Sequence, residues 1–304
     1  MRTIGTLRAM AFGVAIIGVT LASHAAAQSV SSAIDADPPP DAQHPADTAA
    51  PPIQSHGVVL DSRLYTASGA GAHPTLVMLD GLPGWHNLAD VDMAVRRAGW
   101  NVLAFHYRGV WGEPGGFSIH HSVEDAAAAI AFLRRPDIAA KYGIDTSRLV
   151  IAGHSMGGFC AAAVMRNDTK LAGAVLIDAW DVGEDGTAAR RDPATFASQV
   201  KAFGEGGHAV SGTNGLRIAR EIRDAKDWDY INWAKDFAGR RLLIIGAQKG
   251  NGKESQALAD AIGKLDASKL EAEVMPTDHG FSDHRIALTE KILVWLDTIA
   301  PVPQ

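Results

Sequence analysis

The clearest chemical pattern in the sequence is Gly153-His154-Ser155-Met156-Gly157, which fits the turn G-x-S-x-G. Four apolar residues, 149–152, precede this turn and predict a strand buried on both faces. Residues 159–166 follow it; they are rich in Ala, contain neither Gly nor Pro and predict a helix. A strand-to-helix turn of this kind lifts the serine hydroxyl clear of the sheet, so Ser155 is a candidate nucleophile.

A serine hydroxyl needs a base within hydrogen-bond reach, and the base needs a group that orients it. Where the nucleophile stands on such a turn, the chain order is serine, acid, histidine. His279 lies in Asp278-His279-Gly280-Phe281, just after the last predicted strand, and we expect it to be the base. His284 lies at the start of the last predicted helix. His154 is expected to support the site rather than to act as the base.

The sequence leaves the identity of the acid open. Its expected place is the loop that follows the strand at residues 241–245, but residues 246–254 contain no Asp. Asp178 ends the preceding predicted strand and is the first candidate, with Asp181 and Glu254 as further candidates. An enzyme with a displaced acid still works at a reduced rate, because the acid mainly fixes the tautomer of the histidine and stabilises its charged form.

The negative charge of a tetrahedral intermediate requires two hydrogen-bond donors. The N–H of Met156, directly after the nucleophile, is the first candidate. The second is the N–H of Leu82 in Asp80-Gly81-Leu82-Pro83-Gly84, a segment called the oxyanion loop below, which follows a predicted strand. The alternative interpretation of this segment is a plain Pro-Gly turn.

Other chemistries have weaker support in the sequence. Several His and Asp residues could suggest a metal site, but neither an H-E-x-x-H nor a Cys pattern accompanies them, so we expect no metal and no cofactor. These residues are His120, His121, Asp278, His279, Asp283 and His284. Residues 107–116, called the glycine-rich loop below, lack the phosphate-binding patterns. The formal net charge of -6 gives no electrostatic footprint for nucleic acid.

The elements that must position these residues alternate between strand and helix. This alternation predicts an α/β fold with a mostly parallel sheet and helices on both faces, whose sites lie beyond the carboxyl ends of the strands. Residues 181–238 break the alternation and predict an inserted helical cap, called the cap segment below. In it, Trp228, Tyr230 and Trp233 either line a pocket or simply pack the insertion.

The N-terminal part of the chain has a different composition. Residues 1–27 contain a positively charged start, an apolar run and Ala25-Ala26-Ala27, which predicts a secretory signal peptide, with an uncleaved membrane anchor as the alternative. Residues 28–55 are rich in Pro and predict a disordered linker before a domain at residues 56–304. A periplasmic or secreted location is therefore expected. Cys160 is the only cysteine, so no internal disulfide is possible.

In its motifs and their order the chain resembles the α/β-hydrolase superfamily over about residues 58–299. It is most similar to bacterial hydrolases of the dienelactone-hydrolase and prolyl-oligopeptidase-like group. The resemblance rests on the Ser155 turn, the oxyanion loop and residues 278–281. It implies a Ser155 and His279 pair, an oxyanion hole formed by Leu82 and Met156, and a cap over the site. The chain departs from the family in having Asp80 where His is frequent, and in lacking an acid after residue 245.

Together these patterns predict a serine hydrolase that cleaves carboxylic esters through an acyl-enzyme intermediate. Its partner would be a small-molecule ester or acyl substrate, with no nucleic acid and no membrane after signal cleavage. Two alternatives remain open: a peptidase or amidase that uses the same residues, and a non-catalytic binding protein on a degenerate hydrolase scaffold.

Overall fold

The computed structural model describes residues 30–84, 86–205, 209–299 and 301. Ten strands are found in these residues. In chain order they are β1 (Asp47–Ala49), β2 (Ile53–Ser55), β3 (Val58–Leu60), β4 (Ser62–Thr66), β5 (His73–Leu79), β6 (Asn101–Phe105), β7 (Ile144–His154), β8 (Gly173–Ile177), β9 (Leu242–Lys249) and β10 (Leu270–Asp278). Within the described chain, eight of them form one sheet in the order β1-β4-β6-β5-β7-β8-β9-β10, and β2 and β3 form a separate hairpin.

Helices cover both faces of the main sheet. The helices of the described ranges are α1 (Val30–Asp35), α2 (Ala89–Arg97), α3 (Ile119–Leu133), α4 (Pro136–Tyr142), α5 (Met156–Asn167), α6 (Val182–Arg191), α7 (Pro193–Glu205), α8 (Gly215–Asp224), α9 (Ala234–Phe237), α10 (Gly252–Gly263) and α11 (Arg285–Asp297). One apolar core contains side chains from α3, α5 and α10, and the other contains side chains from α1, α2 and α11. The predicted α/β fold is therefore confirmed.

The direction of the strands decides where the site can lie. The strands β6, β5, β7, β8, β9 and β10 run parallel, while β1 and β4 join antiparallel at one side. All residues of β6 and β8 are buried, because both faces of these strands are covered by helices. Parallel strands end at one edge of the sheet, so the residues that follow β5, β7, β8 and β10 gather there.

The prediction of a disordered linker up to residue 55 is wrong for the part that the structure describes. Residues 30–55 contain α1, β1 and β2, and Ala33 and Ile53 are fully buried. Strand β1 gains its hydrogen bonds from the backbone of β4, and the guanidinium of Arg97 donates to the carbonyl oxygen of Ala33. Backbone pairing at a sheet edge depends little on side chains, so the amino-acid composition of residues 30–55 did not reveal that they are ordered.

The cap segment lies between β8 and β9 and contains α6, α7, α8 and α9, with a 3-10 helix at Tyr230–Trp233. It is tied to the glycine-rich loop through the backbone. Ser211 donates to the carbonyl oxygen of Gly109 at 2.7 Å, and its own carbonyl accepts from Phe117 at 2.9 Å. The glycines of this loop therefore allow close backbone contact with the cap segment: a Cβ at Gly109 would collide with the backbone N of Phe117.

The predicted signal peptide, residues 1–27, lies outside the described residues. Among the helices of the described residues, none combines the length and the apolar character that a membrane span requires.

Candidate active site

The Ser155 turn has the strand-turn-helix geometry that its sequence predicts. Strand β7 ends at His154, α5 begins at Met156, and Ser155 between them has φ 56° and ψ -119°. Such a left-handed backbone is costly for a residue with a Cβ and persists only where the surroundings enforce it. The flanking glycines are required by crowding, since a Cβ at Gly153 would collide with the carbonyl of Gly157, and one at Gly157 with that of Leu79.

His279 is paired with a buried carboxylate. Its Nδ1 lies 2.5 Å from Oδ2 of Asp178, and the Asp178 side chain is fully buried while that of His279 is 44% exposed. Asp178 follows β8 and His279 follows β10, two strands that flank β9 on either side. An acceptor at Nδ1 holds the proton there and leaves Nε2 as the basic nitrogen.

The end of β9 and the loop that follows it bind the carboxylate of Asp178, the first candidate for the acid. The N–H of Ala247 donates to Oδ1 of Asp178 at 2.7 Å, and the N–H of Asn251 lies 3.0 Å from both carboxylate oxygens. The side-chain amide of Asn251 also donates to the carbonyl of Asp178 at 2.8 Å. Gly250 is part of this arrangement, because a Cβ there would collide with Oδ2 of Asp178. Sequence reasoning missed the role of Gly250 and Asn251.

His154 supports the loop that carries His279. Its Nε2 donates to the carbonyl oxygen of His279 at 2.7 Å, and the two ring centroids are 4.5 Å apart. Burial, together with the neighbouring charge of His279, lowers the pKa of His154 to about 4. His154 is therefore neutral near pH 7 and serves as a hydrogen-bond donor beside the nucleophile.

Within the described residues, no hydrogen bond joins the hydroxyl of Ser155 to Nε2 of His279. The two residues are nevertheless neighbours, since the contact between His154 and His279 brings the histidine loop onto the residue that precedes the serine. Catalytic hydrogen bonds in ligand-free enzymes are often long and tighten when substrate binds. Both residues thus lie at the same end of the sheet, and both are partly exposed.

The oxyanion loop lies directly against the Ser155 turn. A Cβ at Gly81 would stand 3.0 Å from Cβ of Ser155, so any larger residue there would crowd the serine. Among the described residues the N–H of Leu82 has no hydrogen-bond partner. Met156 is the first residue of α5, where backbone N–H groups point out of the helix and the dipole favours negative charge. The structure therefore brings the oxyanion loop against the Ser155 turn, with Met156 directly after the serine.

The other two candidate acids are engaged elsewhere. Asp181 is the N-cap of α6 and accepts from the N–H groups of Gly183 and Glu184 at 3.0 and 3.1 Å. Glu254 lies in the first turn of α10. In the described structure neither carboxylate is hydrogen-bonded to His279, and of the three alternatives only Asp178 contacts it.

The aromatic residues of the cap segment pack rather than line an open pocket. The ring of Phe159, on α5, lies 5.5 Å from those of Trp228 and Trp233. Tyr230 is fully buried and its hydroxyl donates to the carbonyl of Ala179 at 3.2 Å. These contacts join the cap segment to the helix that follows the nucleophile.

A second group of charged side chains near the site was not predicted from the sequence. His86 lies between Asp80 and Asp92, beside a cavity of about 530 Å³ that Trp111 and Glu113 also line. The sequence did hold one indication of this group. Asp92 lies between Val91 and Ala94 on the buried face of α2, and a buried carboxylate needs a partner. Across the described ranges, no group of three or more His, Cys, Asp or Glu residues is placed to hold a metal ion.

The fold and the geometry of this site agree with the comparison to known proteins. A family profile described as "Alpha/beta hydrolase family" matches residues 76–247, which include the oxyanion loop, the Ser155 turn and Asp178. The chain belongs to the α/β-hydrolase family, and the resemblance noted from its motifs is confirmed at that level. Its placement in the dienelactone-hydrolase and prolyl-oligopeptidase-like group stays a prediction.

Two curated relatives match part of the chain. The quorum-quenching protein AidA of Acinetobacter baumannii (strain MDR-ZJ06) is 34% identical over 130 residues, which are 40% of this chain and 41% of that protein. The α/β-hydrolase domain-containing protein WAV2 of Arabidopsis thaliana is 30% identical over 93 residues, 31% of this chain and 29% of that protein. The matched part thus spans less than half of either relative.

Solved structures extend the likeness to most of the chain. An esterase from Pyrococcus furiosus superposes with a TM-score of 0.62 over 86% of this chain and 97% of its own, at 15% identity. At this identity the likeness shows the fold alone.

Proposed function

We propose that this protein is a serine hydrolase that cleaves carboxylic esters of small molecules through an acyl-enzyme intermediate. The single observation that carries the proposal is the 2.5 Å contact between Nδ1 of His279 and the buried carboxylate of Asp178, beside the Ser155 turn. A nucleophile, a base and an orienting acid from three different strand ends make a constellation with a known use in acyl transfer.

The reaction follows from the roles of these groups. Nε2 of His279 takes the proton of the Ser155 hydroxyl as the oxygen attacks the ester carbonyl. The N–H groups of Leu82 and Met156 stabilise the oxyanion, and the alcohol leaves with the proton from His279. Water, deprotonated by His279, then attacks the acyl-enzyme, and His279 returns the proton to the Ser155 oxygen as the carboxylic acid leaves. Asp178 holds the ring in the productive tautomer throughout.

An ester panel run beside an amide panel tests this proposal. Wild-type protein should hydrolyse p-nitrophenyl esters or lactones, and Ser155→Ala should abolish that activity while folding normally. Hydrolysis of anilides at comparable kcat/KM would make the peptidase or amidase alternative the better description. A folded wild type that hydrolyses neither class and does not react with a fluorophosphonate would support the non-catalytic alternative.

We further propose that residues 1–27 direct export to the periplasm or beyond and are then removed. The support is the charged, apolar and small-residue order of this segment. Mass spectrometry of the N-terminus of the protein purified from its own cells tests this, and a retained Met1 would contradict it.

A further inference from the structure

His86 is held between two buried carboxylates at the base of the oxyanion loop. Its Nδ1 lies 3.0 Å from Oδ1 of Asp80, and its Nε2 lies 2.8 Å from Oδ2 of Asp92. Asp80 is only 5% exposed, and Asp92 is fully buried on α2. The His86 ring thus connects Asp80, the first residue of the oxyanion loop, to Asp92 on α2.

The surroundings of His86 favour the charged ring. An imidazole that faces a carboxylate oxygen at each nitrogen donates from both only as the imidazolium. Burial works against the charge, but the hydrogen bond to Asp80 and the close charge contact with Asp92 outweigh it and raise the pKa of His86 to about 10. Asp90, the neighbouring carboxylate on α2, does not contact His86 in the described structure. It is exposed, and its Oδ1 lies 3.1 Å from a guanidinium nitrogen of Arg285. Breaking a buried pair by removing one partner leaves an uncompensated charge, so the arrangement resists distortion.

The bridge acts on the residues that touch the nucleophile. Asp80 directly precedes Gly81, where a Cβ would stand 3.0 Å from Cβ of Ser155. The hydroxyl of Tyr107 donates to the carbonyl oxygen of Asp80 at 3.1 Å, so the backbone here is fixed from a second direction. Leu82, two residues beyond Asp80, has no other hydrogen bond in the described structure to hold its N–H in place.

We propose that His86 is a positioning residue for ester hydrolysis: by bridging Asp80 and Asp92 it fixes the oxyanion loop so that the N–H of Leu82 faces the developing oxyanion. This inference rests on the proposed function. Removal of one oxyanion-hole donor costs about 10²- to 10³-fold in kcat, so a displaced donor should cost about 10- to 100-fold. The loss should fall on kcat rather than on KM, because the donor acts on charge that exists only in the transition state.

The chain offers a matched control for substitutions at His86. His73 stands at the opposite end of β5, and its ring nitrogens also have oxygen partners, the carbonyls of Gly99 and Gly69, at 3.0 and 3.1 Å. His73→Gln therefore removes a doubly hydrogen-bonded histidine from the same strand without touching the oxyanion loop. Any loss of activity in His73→Gln therefore measures the effect of reduced stability alone.

The experiment compares His86→Gln, Asp92→Asn, the double variant and His73→Gln with wild type, each well below its own unfolding midpoint. We measure kcat and KM for a p-nitrophenyl ester and the affinity for a trifluoromethyl ketone, which forms a tetrahedral adduct with the serine. For His86→Gln and Asp92→Asn we expect kcat and ketone affinity to fall together by about 10- to 100-fold, with KM within about threefold. The double variant should lose no more than the worse single variant, because both act through one bridge.

Two results would overturn the inference. One is a His86→Gln enzyme with wild-type kcat and wild-type ketone affinity. The other is an equal loss in His73→Gln, which would assign the effect to stability. Failure of the proposed function is recognised separately, since wild type itself would then show no activity that depends on Ser155. If His86→Gln does not fold, Asp92→Asn alone carries the test with the same expected result.

Discussion

Nδ1 of His279 lies 2.5 Å from the carboxylate of Asp178, although 101 positions separate the two residues in the chain. The contact exists because β8 and β10 end at the same edge of the sheet. Between them, backbone N–H groups at the end of β9 and in the loop after it bind the carboxylate. Asp178 therefore stands one strand away from the place where the acid was expected and still contacts His279.

Asp178→Asn should lower kcat for ester hydrolysis by about 10³- to 10⁴-fold with little change in KM, because the amide no longer holds the productive tautomer of His279. Steady-state kinetics on a p-nitrophenyl ester measures this. Asp181→Asn and Glu254→Gln are the controls, and each should retain activity within about threefold of wild type. A larger loss in either control than in Asp178→Asn would move the acid to that residue.

Gly250→Ala should reduce activity and stability together, because the added methyl group collides with Oδ2 of Asp178. Overpacking of this kind costs about 1–3 kcal/mol, and it should also displace the carboxylate from His279. Gly263→Ala is the matched control, since a Cβ at Gly263 meets nothing within 4 Å. Chemical denaturation and ester kinetics measure both effects. Equal behaviour of the two variants would show that Gly250 is not needed to seat the acid.

Glu221→Ala should destabilise the attachment of the cap segment to the main domain. The Glu221 carboxylate, on α8, accepts from the N–H groups of Ile119 and His120 at 3.2 and 2.8 Å and so caps the start of α3. Loss of such a cap costs about 0.5–2 kcal/mol, which lowers the unfolding midpoint by a few degrees. Glu205→Ala removes an exposed carboxylate from α7 and should leave the midpoint unchanged. Identical midpoints for both variants would contradict this role.

Asp181→Asn should change how stability depends on pH. Burial raises the pKa of Asp181 from 3.8 to about 7, even though the N–H groups of Glu184 and Gly183 lower it. The folded protein therefore binds more protons than the unfolded chain between these values, and the free energy of unfolding falls as pH rises through that range.

An asparagine at position 181 still accepts the capping hydrogen bonds but has no proton to lose. Relative to wild type, the variant should gain about 1–3 kcal/mol of unfolding free energy between about pH 5 and pH 8. Urea denaturation at the two pH values measures the difference. Parallel pH profiles of the two proteins would contradict the raised pKa.

The parts of the site that are formed by contiguous residues could be predicted from the sequence, because their residue types and order determine the local structure. The strand, turn and helix around Ser155 are contiguous, and their types alone indicate the geometry that the structure has. The alternation of strands and helices indicated the fold class in the same way. His279 was predicted as the base from its place after the last strand, which is also a local property.

The remaining parts depend on contacts between distant segments. Choosing Asp178 over Asp181 and Glu254 requires the distance between the ends of β8 and β10, which no spacing in the sequence gives. The bridge of His86 joins residues on a strand end, a loop and a helix, and only the buried position of Asp92 hinted at it. Residues 30–55 were expected to be disordered from their Pro content, but backbone pairing with β4 and burial of Ala33 and Ile53 order them.

The most direct test of the account is covalent labelling of the folded, full-length protein with a fluorophosphonate, followed by mass spectrometry of its peptides. One adduct is expected, on Ser155, with loss of ester hydrolysis in proportion to labelling. In Ser155→Ala the adduct should be absent and kcat at least about 10⁴-fold lower. A Ser155→Ala protein that hydrolyses esters at the wild-type rate, or a label that inactivates the enzyme from another residue, would contradict it.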